Sequence, residues 1–265
     1  LRTGVLNLSL QPQQSEIVTI PLKGIASKPG TEYFLNFEVK TKIANGYITA
    51  GYSIAHDQFQ LPVERPIAIT ASKGKKLQVD ENEILIKVTS PDLQLVFNKS
   101  KAVLTSYRFK GQEYIQDEFG IQPNFWRAPN DNDYGNGAPK RQQVWKQASS
   151  RFNLADCKIN SQDEKVVILV TYALTTGNNY SITYTVHPDG TLHTKAHLSA
   201  TTDPAVPEIP RVGIRFRLPE TMNQVRYFGR GPEENYIDRN HGTLVGLNST
   251  TAEAMYFPYV RPQEN

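Results

Sequence analysis

The chain has 265 residues, 38% of them hydrophobic and 10% aromatic, enough to build one large β domain or two smaller ones around a real core. Charged residues make up 21% and the formal net charge is +3, an excess too small and too scattered to argue for nucleic acid. A single cysteine, Cys157, excludes an intrachain disulfide scaffold and a Cys-rich zinc site, and no stretch approaches the roughly 18 apolar residues of a membrane span.

The pattern is period two nearly throughout, which places one face of each strand on a core. Tyr33, Leu35, Phe37 and Val39 alternate with Phe34, Asn36, Glu38 and Lys40. A boundary comes near residues 62 to 76, where Pro62-Val-Glu-Arg-Pro66 is stiff and Thr70-Ala-Ser-Lys-Gly-Lys-Lys76 is polar. The basic run Lys73-Gly-Lys-Lys76 reads as a solvated linker. The alternation resumes in Ile84, Ile86 and Val88, and a Ser-Pro-Asp turn leads to Leu93, Leu95 and Phe97.

Residues 124 to 137 interrupt this pattern: two aromatics, Phe125 and Trp126, run into a cluster of amides and carboxylates that ends in two glycines. Asn, Asp and Gly favour turns, so neither a packed strand nor a stable helix is expected here. A long polar loop in a strand-rich chain is a natural place for function. One or two helical turns are expected over Lys140 to Ser149, with Val144, Trp145 and Ala148 as the apolar stripe. Strands come next at Val166, Ile168 and Val170, then at Ile182, Tyr184 and Val186. His187-Pro-Asp-Gly190 turns the chain into a strand through Leu192 and Leu198. Val212, Ile214, Phe216 and Leu218 predict one more. Turn signals at these spacings argue for β-sandwiches.

The candidate chemistry is thin. Glu233 and Glu234 are adjacent, so on extended backbone they point to opposite faces, whereas a retaining glycosidase needs two carboxyls about 5 Å apart. They read as structural, with Arg230 or Arg239 as ion-pair partners. Asp131 and Asp133 precede a glycine as in a calcium loop, but Gln142 stands where an EF-hand wants glutamate. Asx turns capping loop amides fit them better. Among the five histidines, His193 and His197 would lie about 13 Å apart along a strand, too far to share a metal. The thirteen tyrosines and two tryptophans could stack on sugars, and they serve equally well as sandwich core.

Three segments carry a resemblance. Phe125-Trp-Arg-Ala-Pro-Asn-Asp-Asn-Asp-Tyr-Gly135 is similar to the signature that opens the C-terminal domain of bacterial β-galactosidases of glycoside hydrolase family 2. Tyr227-Phe-Gly-Arg-Gly-Pro-Glu-Glu-Asn-Tyr-Ile-Asp-Arg239 and Tyr259-Val-Arg-Pro-Gln-Glu-Asn265 resemble two further blocks of that family, in the same order. The match covers about residues 67 to 265, and the first 60 or so resemble the preceding immunoglobulin-like domain more weakly. The resemblance implies a larger parent that hydrolyses terminal β-galactosides with retention. Its two catalytic glutamates and its magnesium-site ligands lie in a barrel outside this chain.

The resemblance leaves one functional element here: a rim loop beside the barrel mouth, at Asp131, Asn132, Asp133, Tyr134, Gly135, Asn136 and Gly137, with Gly135 as the hinge. The sequence departs from the pattern at Asn136, where some members carry an apolar residue. The family's site-shaping tryptophan lies beyond the final block, so the chain is expected to end inside its last domain and to be cut from something longer.

The fold expected is therefore all-β: an Ig-like β-sandwich over 1–62, a linker over 63–76, and a galactose-mutarotase-like super-sandwich over 77–265, incomplete at its C-terminus. The chain is expected to be catalytically silent alone, with no catalytic residue, metal or cofactor of its own. Its expected partners are the rest of the parent and, through it, a galactoside, with self-assembly into a homo-oligomer and with neither nucleic acid nor membrane. A stand-alone carbohydrate-binding module, using the tyrosines and Arg215, is the rival; a mutarotase-like epimerase lacks a visible acid–base pair. Bacterial cytoplasm and periplasm are both compatible with the composition.

Overall fold

Strands that alternate apolar and polar side chains must bury one face, and here two sheets bury theirs together. The computed structural model describes residues 2–22, 24–62, 76–162, 164–201, 203–233, 235 and 240–256. The fold is all-β, with several sheets and three short helices among the described residues. The chain divides into two units, Leu1–Ile69 and Thr70–Asn265. The expected linker lies almost wholly outside the described residues, as do the Tyr259–Asn265 block, Glu234 and Arg239.

In the first unit, β1 (Phe34–Lys40) and β2 (Ser53–Gln60) form an antiparallel hairpin with Phe34 opposite Gln60. Phe37 meets Phe59 edge to face at 5.8 Å. Of the sandwich expected there, the described residues show this hairpin.

The second unit opens with a five-stranded antiparallel meander. Its strands are β3 (Gln78–Glu81), β4 (Leu85–Thr89), β5 (Leu93–Asn98), β6 (Val103–Phe109) and β7 (Gln112–Glu113), in that spatial order. After β8 (Gln122–Asn124) come three helices: α1 (Asp131–Gly135), α2 (Ala138–Arg141) and α3 (Gln143–Ala148). A four-stranded meander is next, built from β9 (Phe152–Gln162), β10 (Lys165–Leu174), β11 (Asn179–Val186) and β12 (Leu192–Leu198). Then β13 (Gly213–Arg215) pairs with β8, and β14 (Gln224–Gly231) pairs with β15 (Leu244–Thr251).

The expected alternation is visible in burial. Ile86, Val88, Leu95 and Phe97 of the five-stranded sheet are fully buried, as are Val166, Ile168, Val170, Ile182, Tyr184 and Val186 of the four-stranded one. They share one apolar cluster, and the Phe97 and Tyr184 rings lie 6.1 Å apart across it. Each such side chain stabilises the fold by about 1.5–3 kcal/mol through removal from water.

Two expectations change. The run from Val212 to Leu218 is a strand only over Gly213–Arg215, and Val212, Phe216 and Leu218 are exposed. Its partner β8 is itself three residues long, and beyond it the Arg217 amide turns to the Phe119 carbonyl. The helix expected over 140–149 is two short pieces joined at Gln142, whose φ of −91° and ψ of 5° end the first; Trp145 and Ala148 are buried as anticipated.

The turn at His187–Gly190 welds the sheets together. Gly190 has φ of +86°, and a Cβ there would lie 2.3 Å from the Phe109 ring of β6. The Tyr107 hydroxyl donates to the Gly190 carbonyl. Gly190→Ala therefore meets both a left-handed backbone and a ring. It should cost about 2–4 kcal/mol, read as a lower urea midpoint at unchanged m-value.

Candidate functional site

The polar segment begins inside the core. Phe125 is fully buried, with its ring 5.6 Å from Trp145 and 5.2 Å from Tyr180, both edge to face. Its amide donates to the buried Ser149 hydroxyl at 2.8 Å, and that hydroxyl donates to the Trp145 carbonyl at 2.9 Å. One step along the chain, the Lys146 ammonium sits 5.6 Å from the Trp126 ring, a cation–π contact. The two aromatics thus anchor the segment as expected, Phe125 from beneath and Trp126 at the surface.

The residues after Pro129 correct the expectation of an unstructured loop. Asp131–Gly135 is a helical turn, and Asn130 caps it. The Asp133 amide donates to Asn130 Oδ1, and the Asn130 amide donates to Asp133 Oδ2, each at 2.9 Å. This reciprocal capping satisfies two amides that a helix start otherwise leaves open. Arg127 closes the arrangement from behind: Nη1 donates to Asp133 Oδ2 at 2.6 Å and Nη2 to Oδ1 at 2.9 Å. The pair is bidentate, and both side chains are less than one-fifth exposed (19% and 16%), so water screens it weakly. Composition argues against a helix here because it weighs propensity alone; a cap and a part-buried ion pair override propensity over so short a turn.

Partial burial by itself would raise the Asp133 carboxyl. Hydrogen bonds from the Arg127 guanidinium and the Asn130 amide, with the Arg127 charge, outweigh it and hold Asp133 below the ordinary carboxylate range. The Asn130-x-x-Asp133 spacing is a capping pattern that could have been read from the sequence. The Arg127 partnership, six residues apart, carries no such signal.

Beyond the turn, Asn136 Oδ1 accepts the Ala138 amide at 2.9 Å, an Asx turn of the kind expected. The left-handed residue is Gly137, with φ of +74°, and not Gly135, which lies inside the helical turn. The backbone freedom assigned to Gly135 therefore belongs two residues later. Asp131, Asn132, Tyr134, Gly135, Asn136 and Gly137 are all exposed, so the turn presents a polar ridge with Tyr134 64% exposed at its centre. Of the seven positions expected to form a rim, Asp133 alone is not exposed.

The other side of the segment is pinned to residues 203–210. Trp145 Nε1 donates to the Pro207 carbonyl at 2.9 Å, and Glu208 accepts from Arg141 and from Gln142. Hydrogen bonds from Arg141 lower the Glu208 carboxyl to about 2. A shallow cleft between Trp126, Asp133, Gln142 and Pro210 measures about 10 Å³, room for one water and not for a sugar ring.

The donor set does not suit a divalent cation. Both Asp133 oxygens are taken by Arg127 and an amide, and no group of three His, Cys, Asp or Glu converges among the described residues. Arg230 donates to the Asn240 and Thr243 carbonyls; a pairing with Glu234 or of Arg239 lies outside the described residues. His193 and His197 lie on β12 as anticipated. Of the thirteen tyrosines weighed as sugar platforms or core, Tyr172, Tyr180 and Tyr184 are buried in the core, while Tyr47, Tyr52, Tyr134 and Tyr256 are exposed. Arg215 donates to the Ser149 carbonyl at 2.7 Å and stacks on Phe119. Burial pushes the Cys157 thiol to about 11, away from reactivity.

Two families match the chain: "Beta galactosidase small chain" over residues 89–265 and "Beta-galactosidase, domain 4" over residues 1–62. Among similar proteins, a β-galactosidase of Priestia megaterium is 33% identical over 234 residues, covering 88% of this chain and 22% of that protein. One of Clostridium acetobutylicum is 28% identical, covering 95% of this chain and 27% of that protein. One of Actinobacillus pleuropneumoniae is 26% identical, covering 99% and 26% respectively. The chain thus spans about a quarter of the length of these relatives.

The lowered Asp133 carboxyl sets a pH dependence. A depressed folded-state value adds stability that is fully present above the unfolded value of about 3.9 and lost as pH falls through the folded one. The protection of the Tyr134 and Asn136 amides, measured as exchange relative to the intrinsic rate at each pH, should fall locally below about pH 4. Asp133→Asn should produce the same local loss of protection at neutral pH, weakening the turn by about 1–3 kcal/mol. Unchanged exchange in that variant would remove the ion pair from its organising role.

Proposed function

This chain belongs to the β-galactosidase small-chain family, and we propose that it is the non-catalytic C-terminal part of an enzyme that hydrolyses terminal β-D-galactosides with retention. In that reading the two glutamates of the double displacement, with their magnesium, belong to a barrel elsewhere in the protein. The present chain buttresses that barrel and offers it the rim turn Asp131–Gly137. The observation that carries the reading is the Arg127–Asp133 pair. It fixes a polar, exposed ridge in one shape, yet commits the one inward carboxylate to a guanidinium. A ridge so built can hydrogen-bond to a sugar hydroxyl or to a neighbouring loop. Its inward carboxylate is no proton donor at neutral pH, because Asp133 is held ionised by Arg127 and the Asn130 amide.

The binding-module reading has less to stand on. Tyr172, Tyr180 and Tyr184 lie inside the sheets' shared core and offer no ring face to a sugar, and Arg215 is committed to the Ser149 carbonyl.

The chain alone should show no turnover of an aryl β-galactoside above buffer, and no saturable binding of galactose or lactose. Turnover would overturn the assignment of chemistry to another part of the protein, and saturable sugar binding would favour the module. In the full-length enzyme, Tyr134→Ala should lower kcat/KM about tenfold, near 1.4 kcal/mol of transition-state stabilisation, without loss of fold. Kinetics indistinguishable from the parent would dismiss the rim role.

A further inference from the structure

The turn that joins β11 to β12 carries a second feature, independent of the rim. His187 follows the last residue of β11 and His193 lies one residue into β12; their imidazole rings stand 5.2 Å apart, centroid to centroid, with planes inclined at 68°. Neither ring has a hydrogen-bond partner among the described residues, so their ring nitrogens are uncommitted. His193 is exposed and His187 half-buried, and both are open to solvent.

From this we infer that His187 and His193 form a two-imidazole chelate for a borderline divalent first-row cation: Cu²⁺, Ni²⁺ or Zn²⁺. The spacing is the first support. With metal–nitrogen bonds of about 2.0–2.1 Å and tetrahedral angles, two ligating imidazoles hold their centroids about 5 Å apart. The rings therefore need to reorient but not to travel. Ligand type is the second. Uncharged imidazole suits these ions and not magnesium or calcium, which take oxygen.

Preorganisation is the third. The His187 amide donates to the Thr191 carbonyl at 2.9 Å and the Gly190 amide to the His187 carbonyl at 3.0 Å. The Thr191 amide donates to Asp189 Oδ1 at 2.9 Å. Tyr107 and Phe109 then hold Gly190 from the facing sheet. A backbone so fixed loses little further entropy when the rings close on an ion. No third His, Cys, Asp or Glu converges with them among the described residues, so water completes the coordination. The site is accordingly a surface chelate and not a structural metal centre.

The test is a titration of the 265-residue chain with CuCl₂, NiCl₂ and ZnCl₂ separately, monitored by calorimetry and by the imidazole C–H resonances. One equivalent should bind, reversibly with EDTA, and the signals of His187 and His193 should shift or broaden together. H187A and H193A should each weaken binding at least about tenfold, while H197A leaves it unchanged. H187N and H193N, which keep a polar side chain at the surface, should do the same with an unchanged far-UV spectrum. Saturable binding that survives loss of either histidine, or none with any of the three ions, overturns the site.

Discussion

The apolar contact between the five-stranded and the four-stranded sheets is what the second unit depends on. Ile86, Val88, Leu95 and Phe97 on one side meet Val166, Ile168, Val170 and Tyr184 on the other, with no exposure. Other features of the unit are referred to this contact. The phenol of Tyr184 donates to the Ile121 carbonyl just before β8, and that of Tyr180 reaches the Gly213 carbonyl in β13, at 3.3 and 3.5 Å. Long contacts of this kind contribute little energy, but they spare buried hydroxyls a full desolvation penalty. They also fix where the small β8–β13 pair lies on the larger sheets. Burial raises both phenols, Tyr180 to about 12.

The Asp131–Gly135 turn borrows its rigidity from that core. A five-residue helix is too short to hold itself, since nucleation fixes several dihedrals for a single hydrogen bond. Here the order arrives from Phe125, which is locked between Trp145 and Tyr180 and tied through its amide to Ser149. Arg127 comes two residues later on a backbone already placed, so its planar fork meets Asp133 with little entropy left to lose. A lysine could not span both carboxylate oxygens in this way. The run from Phe125 to Gly135 is thus a single device: an apolar plug, a cationic clamp, a cap and a turn.

The large elements are legible in the sequence because alternation reports burial directly. Strands β4, β5, β10 and β11 stand where their apolar periods place them. Legibility fails where contacts outside the segment decide the outcome. Phe216 and Leu218 keep the period but pair with no strand among the described residues, so their alternation buries nothing. β9 is harder to read: Phe152 and Leu154, then Cys157 and Ile159, pack on the core, but a register shift between the two pairs breaks the phase of the alternation. At the site, Asn130 can be recognised as a cap. The Arg127–Asp133 pair, the Ser149 hydroxyl and the Glu208 anchor cannot, because each joins residues whose approach only the fold creates.

The use made of carboxylates bears on function more than their number does. Burial would raise Glu113, but the Ser106 hydroxyl and the Tyr107, Tyr114 and Ile115 amides all donate to it and leave it lowered. Asp133 and Glu208 are lowered in the same sense by arginine. A general acid working near neutrality needs the opposite: a carboxyl raised by burial or by a like charge, with few donors around it. These three carboxylates are each spent on amides, a hydroxyl and guanidinium groups as structural ties. None of the three has the environment of a general acid: each is held ionised by donors that the fold brings to it.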